Sequence, residues 1–307
     1  MEKQLWSACS DGKVEEVKKL LQINTNWQDL EYSRTPFYIA CAHGQTEVVK
    51  LLLNDKRVDI NKGNKNEATP FFIACQEGHI DIVKLLLNDN RVDIKKATKN
   101  KATPFYIACS CGQTEIVKLL LNDNRVDIKK GNKNEATPFY VACQERHIDI
   151  VKLLSNDNRV DINKATKNRA TPFYIACSCG QTEIVKLLFN DKRIDINEAN
   201  NDGETPFTIA CYYGHLEVVK YLLVSGREID INKEDDDGKA GLDWARERGE
   251  KIEKFENETE EEYQKAKRNG PKIAELIESF QRNQYDTRTK LRKELGLPGN
   301  LLIFKFK

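Results

Sequence analysis

Cysteine and histidine are the residues of this sequence whose spacing could hold a metal ion. Two Cys-Ser-Cys triplets lie at 109–111 and 177–179, and Cys75 and Cys143 are each followed four positions later by a histidine. A structural zinc site needs four such ligands at suitable spacing. No second pair of ligands lies near either triplet, and a turn separates each cysteine from its histidine. We therefore expect no metal site.

Lysine is the other residue type with a recurring chemical pattern. Three polar segments are rich in basic side chains, namely Lys95, Lys96, Lys99 and Lys101, then Lys129, Lys130 and Lys133, then Lys164, Lys167 and Arg169. Such segments attract acidic peptides or phosphate-bearing partners. The alternative is that they are solvated loops without a partner. Nucleic acid is disfavoured, because no aromatic residues alternate with these lysines and the net charge is only +1.

The sequence contains no arrangement that is typical of a catalytic centre. It has no glycine-rich phosphate loop, no nucleophile elbow and no distinctive pair of carboxylates. Each reactive residue type instead recurs at a fixed spacing along the chain. We therefore expect no enzymatic activity and no cofactor.

Composition limits the class of protein. The chain has 307 residues, of which 32% are charged, and this fits a thin molecule with a large surface. No apolar run approaches the ~20 residues of a membrane-spanning helix. The N-terminal stretch lacks a basic segment followed by an apolar one, so we expect no secretory signal. We expect a monomer that does not associate with membranes.

The cysteines indicate a reducing compartment. Six of the nine occupy one position of a repeated segment, and they are Cys41, Cys75, Cys109, Cys143, Cys177 and Cys211. Helices in a stack lie ~10 Å apart, which is beyond the reach of a disulfide. We therefore interpret these residues as small buried apolar groups that form no disulfides. Free cysteines are typical of a reducing compartment, so we expect the protein in the cytoplasm or else in the nucleus.

The elements that must position these residues come from a repeat. Thr-Pro-Phe recurs every 34 residues, starting at Thr35, Thr69, Thr103, Thr137, Thr171 and Thr205. A fixed period of this size indicates one supersecondary unit that stacks on copies of itself. Such an array has a long exposed surface and no obvious pocket, which favours a binding scaffold over an enzyme.

Each unit reads as two short helices and a polar finger. Thr35 can cap the first helix and Pro36 suits its first turn, while Gly44 ends it in a left-handed conformation. The second helix follows as TEVVKLLL, and the polar segment NKGNKNEA returns to the next Thr-Pro. Neither helix is long enough to be stable alone, so each needs its neighbours.

This unit resembles the ankyrin repeat. The Thr-Pro start, the Gly-His turns at Gly78-His79 and Gly214-His215, and a second helix such as IDIVKLLL carry the resemblance, which covers about residues 2–245. The resemblance implies an all-α solenoid of antiparallel helix pairs with short β-hairpin fingers. It also implies a role in protein binding, with no catalysis and no cofactor.

The repeat departs from the family pattern in three ways. It has 34 residues where the family has 33, and the extra residue lies near NDNR. Tyrosine or phenylalanine replaces the family's first-helix histidine in five of the six Thr-Pro-Phe units. The finger glycine survives only as Gly203, and Glu67, Lys101, Glu135 and Arg169 occupy its place elsewhere.

Two versions of the unit alternate, so the full period is 68 residues, and one copy contains weak points. Arg146 stands where other units have the turn glycine, and Ser155 replaces a second-helix leucine. A non-glycine residue in a left-handed turn costs about 1–2 kcal/mol. We therefore predict that residues 137–170 open first.

The candidate binding residues follow from the same alignment. An aromatic row on the first helices includes Tyr38, Tyr106, Tyr140 and Tyr174, and these rings are either interface anchors or packed between units. The variable positions just before the turn are better candidates; they include Glu77, Glu145 and the pair Tyr212–Tyr213. The basic fingers add Lys99, Lys101, Lys133, Lys167 and Arg169.

The end of the chain departs from the repeat. We predict a repeat array over 2–239, with seven units of which the first is a cap, and an altered last repeat with a charged insertion and a tail over 240–307. Thr259 and Glu262 form a capping box, so a helix begins there and ends at Gly270-Pro271. A new helix over Lys272–Phe280 then resembles the second helix of a last repeat.

The last segment adds three expectations. The insertion has a narrow apolar stripe of Ile252, Phe255, Tyr263 and Ala266. It either lies on the stack as a helical C-terminal cap, which we favour, or recruits another helix. Thr287 or Thr289 caps a last helix, which Gly296 and Pro298 end. The terminal LLIFKFK at 301–307 is apolar and strand-like.

Taken together, the sequence predicts a non-catalytic adaptor that binds a protein partner with its concave helix face and basic fingers. Two alternatives stay open. One is the regulatory region of a larger enzyme, and the other is a binder of acidic or phosphate-bearing ligands.

Overall fold

The computed structural model describes residues 1–22, 24–250, 254 and 258–297, and within them the chain forms seventeen helices and no strand. The first ten are α1 (Glu2–Asp11), α2 (Val14–Leu20), α3 (Pro36–Ala42), α4 (Thr46–Asn54), α5 (Pro70–Glu77), α6 (Ile80–Leu87), α7 (Pro104–Ser110), α8 (Thr114–Leu121), α9 (Pro138–Gln144) and α10 (Ile148–Ser155). The others are α11 (Pro172–Ser178), α12 (Thr182–Phe189), α13 (Pro206–Tyr212), α14 (Leu216–Val224), α15 (Gly241–Gly249), α16 (Glu260–Arg282) and α17 (Gln284–Glu294).

The chain divides into two compact units, residues 1–161 and 162–307. The first unit contains five helix pairs, α1 to α10, and the second contains two pairs followed by α15, α16 and α17. The predicted class, an all-α array of regular helix pairs, is confirmed. The division at 239/240 marks where the repeat text changes, and it stays a prediction.

The Thr-Pro dipeptide starts the first helix of each pair, as predicted. The Thr35 hydroxyl accepts a hydrogen bond from the Tyr38 N–H at 3.1 Å, and the five other threonines make the same bond at 3.0–3.1 Å. Proline at the first helical position loses no hydrogen bond, because that N–H has no partner within the helix. The chain therefore begins six helices with the same two residues.

One buried phenylalanine per unit forms the centre of the core. Phe37, Phe71, Phe105 and Phe139 are at most 1% exposed in the first unit, and Phe173 and Phe207 are equally buried in the second. First helices pack on first helices, so that α3 contacts α1 and α5, while α4 contacts α2 and α6. Each short helix thus gains from its neighbours the stability that it lacks alone.

The turn between paired helices is braced from the next repeat. Gly44 has φ 71°, and a Cβ there would lie 2.8 Å from the ring of His79. The His79 Nε2–H donates to the carbonyl of Ala42 at 3.0 Å. One repeat later Gln113 donates to the carbonyl of Gln76 at 2.9 Å. Histidine in one version of the unit and glutamine in the other therefore both donate a hydrogen bond to the turn of the preceding repeat.

The segment in which the sequence predicts the extra residue of the 34-residue unit forms a hydrogen-bonded contact with the preceding repeat. The Arg57 Nη2 donates to Asp55 at 2.6 Å and to the carbonyl of Leu21, at the end of α2, also at 2.6 Å. Arg91, Arg125 and Arg159 bond the preceding second helix in the same way at 2.8–3.0 Å. A cation at a helix C-terminus satisfies a free carbonyl and opposes the helix dipole.

The fingers are turns rather than strands in the described residues. The Asn64 N–H donates to the carbonyl of Ala68 at 3.0 Å, and the Glu67 N–H donates to Asn64 at 2.8 Å. These bonds close a hairpin-like turn, as the resemblance implied, but the paired segment is too short to form a regular ladder.

The capping box at Thr259 and Glu262 is confirmed, but the helix that it starts does not end at Gly270-Pro271. α16 continues without a break to Arg282. Pro271 removes only one helical N–H, and Gly270 lies so close to α15 that a Cβ would collide with the carbonyl of Ala245. One face of the helix is buried on both sides of the Gly270-Pro271 pair, at Ala266, Gly270, Ile273, Ala274, Ile277 and Phe280. Tertiary packing therefore overrides the local helix-breaking signal.

The last described helix begins earlier than predicted. Asn283 caps α17 by accepting from the Asp286 N–H at 3.1 Å, while Thr287 is buried within the helix and Thr289 bonds to the carbonyl of Tyr285. The predicted roles of Ile252, Phe255, Pro298 and the terminal 301–307 lie outside the described residues.

Candidate partner-binding surface

The fingertips of the first unit are held side by side by backbone hydrogen bonds. The Lys65 N–H donates to the carbonyl of Tyr32 at 2.9 Å, the Lys99 N–H to Asn66 at 3.0 Å, and the Lys133 N–H to Asn100 at 2.7 Å. The donors occupy one repeat position. The backbone therefore fixes the spacing of three fingertip lysines.

The amines of these lysines are available at the surface. Lys99, Lys101 and Lys133 are exposed, and none of them forms an ion pair with a described residue. The Lys65 Nζ lies 4.6 Å from the centre of the Tyr32 ring, where cation and ring attract each other. The edge thus presents positive charge that the described part of the unit does not neutralise.

The fingertips keep a left-handed residue although they lack the family's glycine. Glu67, Lys101 and Glu135 have φ of 64°, 61° and 63°, and Arg169 has φ of 59° in the second unit. The glycine of the family pattern is therefore replaced without a change of turn. The cost is backbone strain of about 1–2 kcal/mol per residue.

The second unit has both basic and acidic fingertips. Lys167 and Arg169 are exposed, and Arg169 pairs with Glu198. The following tips read Asn-Asp-Gly at 201–203 and Asp-Asp-Gly at 236–238. Sequence analysis missed this acidic end, although the finger alignment alone would have revealed it.

The four tyrosines of the first-helix row are buried, so they offer little surface to a partner. Tyr38, Tyr106, Tyr140 and Tyr174 are 4–9% exposed. The Asn64 amide donates to the Tyr38 hydroxyl at 3.2 Å, and burial raises the pKa of Tyr38 to about 12. Their burial fits the alternative in which the rings are packed between units, and their role as interface anchors stays a prediction.

Tyr212 and Tyr213 are half-buried beneath the chain's own last helices. The Tyr212 ring centre lies 4.9 Å from that of Trp244 in α15, and the Arg248 guanidinium stacks on it at 5.0 Å. Arg248 is itself buried and forms an ion pair with Glu258. Burial raises the pKa of Tyr212 to about 12. Their role as anchors for a partner stays a prediction.

Glu77 and Glu145, which precede their turns, are exposed, as the sequence predicted. Cys111 lies between them, and burial first, then the two carboxylates, raise the pKa of its thiol. The role of Glu77 and Glu145 in binding a partner stays a prediction.

The repeated cysteines are buried free thiols. Burial raises the pKa of Cys75, Cys109 and Cys177 far above the ordinary value. Such thiols are poor nucleophiles and poor metal ligands. Among the described residues no group of three or more His, Cys, Asp or Glu side chains could hold a metal ion. Nor does any helix among them have the length and apolar character to cross a bilayer.

Comparison with known proteins identifies the repeat. A family model described as ankyrin repeats (3 copies) matches residues 5–98, 89–166 and 153–235, which is more than half of the chain. The chain belongs to the ankyrin-repeat family. A stretch of 57 residues is also 42% identical to ankyrin repeat domain-containing protein 7 of Homo sapiens; it covers 18% of this chain and 22% of that protein. Ankyrin repeats are generally protein-interaction modules, and in this chain they account for the helix pairs and the fingers.

Proposed function

We propose that this chain is a non-catalytic adaptor that binds a protein partner on its first-helix face and its basic fingers. The supporting observation is the row of exposed, unpaired fingertip lysines whose spacing the backbone fixes. Positive groups in a fixed row raise the rate of encounter with an acidic surface and select its orientation. Ankyrin repeats elsewhere commonly have such a role.

The cytoplasm, or the nucleus, is the compartment that this proposal implies. The buried cysteines support it, because they are free thiols in a protein whose core depends on their small apolar side chains.

A charge-reversal experiment tests the proposal. We expect the variant Lys99→Glu/Lys101→Glu/Lys133→Glu to lose proteins that the wild-type chain captures from a cell lysate, because attraction at the fingers becomes repulsion. The matched control, Lys50→Glu/Lys84→Glu/Lys118→Glu, carries the same charge change on the second helices.

The control should retain the captured set. If both variants capture the same proteins as the wild type, the fingers are not the binding surface. A binding assay with an identified partner should also weaken as salt rises, because exposed charges are screened over about 10 Å at 0.1 M salt.

A further inference from the structure

We call the segment at which a finger begins, such as residues 91–95, its root. Asparagine side chains join the roots of neighbouring fingers. The Asn61 Nδ2 donates to the carbonyl of Arg91 at 2.6 Å, and its Oδ1 accepts from the Asp93 N–H at 2.8 Å. Asn26 makes the same two contacts one repeat earlier, at 2.7 Å each. An amide side chain can do this because it carries both a donor and an acceptor.

Lys95 occupies the same position in the next repeat, and it cannot make this bridge. An ammonium group has three donors and no acceptor. The Asp127 N–H, which is equivalent to that of Asp93, therefore has no side-chain acceptor, and no described residue accepts its hydrogen. A backbone donor is left free at the root of the finger.

A small cavity lies at the finger root that carries Lys95. Its volume is about 80 Å³, and it is lined by residues that include Lys95, Asp127 and Lys130, with Thr103 and Phe105. We call it the finger-root cleft. It has room for a few water molecules or for one small polar group.

The valine at the finger root also differs between these repeats. Val58 and Val92, which lie beside the asparagine bridges, are each 6% exposed. Val126 is the equivalent residue beside Lys95, and it is only half-buried. The residue beside Lys95 is therefore less covered than its equivalents beside Asn26 and Asn61.

The cleft lining carries two lysines, Lys95 and Lys130, and one carboxylate, that of Asp127. Lys95 and Lys130 form no ion pair with a described residue. The equivalent of Lys130 in the preceding repeat, Lys96, donates to the carbonyl of Asn61 at 3.4 Å, but Lys130 makes no such bond. The Asp127 carboxylate accepts from the Lys129 N–H at 3.0 Å and so is held within its own turn.

We propose that the finger-root cleft binds the carboxylate of an acidic side chain from a peptide segment of the partner. One carboxylate oxygen accepts from the Asp127 N–H and the other meets the ammonium groups of Lys95 and Lys130, which gives charge-assisted hydrogen bonds. A phosphoryl group is bulkier than a carboxylate and fits a cleft of about 80 Å³ less well. This inference rests on the proposed function and adds to it the chemistry of one contact.

Nuclear magnetic resonance of the full chain tests the cleft directly. The probes are two synthetic peptides, Ser-Gly-Glu-Gly-Ser and Ser-Gly-Gln-Gly-Ser, with blocked ends. We expect the glutamate peptide to shift the Asp127 amide resonance and to leave that of Asp93 in place, while the glutamine peptide shifts neither. No shift at Asp127, or equal shifts at both amides, would overturn the proposal.

Two variants with a charge-matched control make the test specific. Lys95→Asn removes one ammonium group and restores the bridge, which occupies the Asp127 N–H. We therefore expect it to weaken glutamate-peptide binding by about tenfold or more. Lys84→Gln removes the same charge from α6 and should leave binding unchanged. Asn61→Lys should open a second cleft and make the Asp93 amide respond. Wild-type affinity in Lys95→Asn would refute the assignment.

A phosphoserine peptide separates carboxylate from phosphate. If only that peptide shifts the Asp127 amide, the carboxylate assignment is wrong. Failure of the cleft is also distinct from failure of the proposed function. An unresponsive Asp127 with finger-dependent capture intact removes the cleft alone, whereas a responsive Asp127 without such capture removes the adaptor role.

Discussion

At the scale of single residues, the fingertips tolerate strain that glycine would avoid. Glu67, Lys101 and Glu135 all adopt positive φ, although each carries a Cβ. The sequence located these positions because Gly203 shows what the turn requires. It could not show that the turn is unchanged without glycine, since that depends on the backbone bonds around Asn64 and its equivalents.

We predict that Glu67→Gly stabilises the protein by about 0.5–1 kcal/mol, because relief of the left-handed strain exceeds the entropy that glycine adds to the unfolded chain. The free energy of unfolding in urea measures the change. Glu47→Gly, in helix α4, is the control and should destabilise by about 1 kcal/mol. A loss of stability in Glu67→Gly would show that the fingertip is not strained.

His215 is the residue whose ionisation should matter most for stability. Its Nε2–H donates to the carbonyl of Ser178 at 2.7 Å, and burial, then the charge of Lys265, lower its pKa from 6.5 to about 4. The contacts with Ser178 and Glu262 act in the opposite direction and only partly compensate. The folded state therefore favours the neutral ring.

Because the folded state lowers the pKa of His215, the free energy of unfolding decreases as the pH is lowered. The contribution of His215 is fully present above about pH 6.5 and is lost as pH falls toward 4, a change of about 3 kcal/mol at most. His215→Gln keeps a side chain that braces the same turn in other repeats but does not titrate. We predict that the variant loses less stability than the wild type between pH 7 and pH 4.5. Parallel curves of unfolding free energy against pH would contradict this.

At the scale of elements, local signals placed the repeat helices but failed at the C-terminal segment. Thr-Pro and the turn glycine fixed the bounds of α3 and its equivalents, because a cap and a left-handed residue act within a few positions. Gly270-Pro271 is an equally strong local signal, yet α16 passes through it. The reason is a contact with α15, which sequence patterns do not encode.

The pair α9 and α10 should be the least protected of the repeat helices in the first unit. Arg146 has φ of 65° where other turns have glycine, and Ser155 is half-buried where Leu121 is 8% exposed. Missing apolar burial and backbone strain both lower the free energy of local opening. We predict that hydrogen exchange is faster in these helices than in α5 and α6.

The double variant Arg146→Gly/Ser155→Leu is the matched test of that opening. It restores the residues that other repeats have, so protection in α9 and α10 should rise to the level of α7 and α8. If exchange in the wild-type chain is already uniform from α5 to α10, the local weakness does not exist.

At the scale of the whole molecule, repetition made the fold predictable and the site only partly so. The six copies of Thr-Pro-Phe predicted where the helix pairs begin, and the alignment of the polar segments between them located the fingertip lysines. Burial of the tyrosine row and the partial cover over Tyr212 depend on contacts between distant residues. The finger-root cleft could not be predicted from the sequence either. Lys95 has the pattern of an ordinary surface lysine, and only the structure shows that its equivalent, Asn61, bridges two fingers.

The exchange of asparagine for lysine at the finger root has a consequence for how such a protein diversifies. Codons for these two amino acids differ only in their third base. A single point mutation in the gene can therefore turn a sealed junction between repeats into an anion-accepting one, or close it again, without touching the core. The same position recurs in every repeat. Selection can therefore place lysine or asparagine in each repeat so that the anion-accepting junctions match the spacing of charges on a ligand.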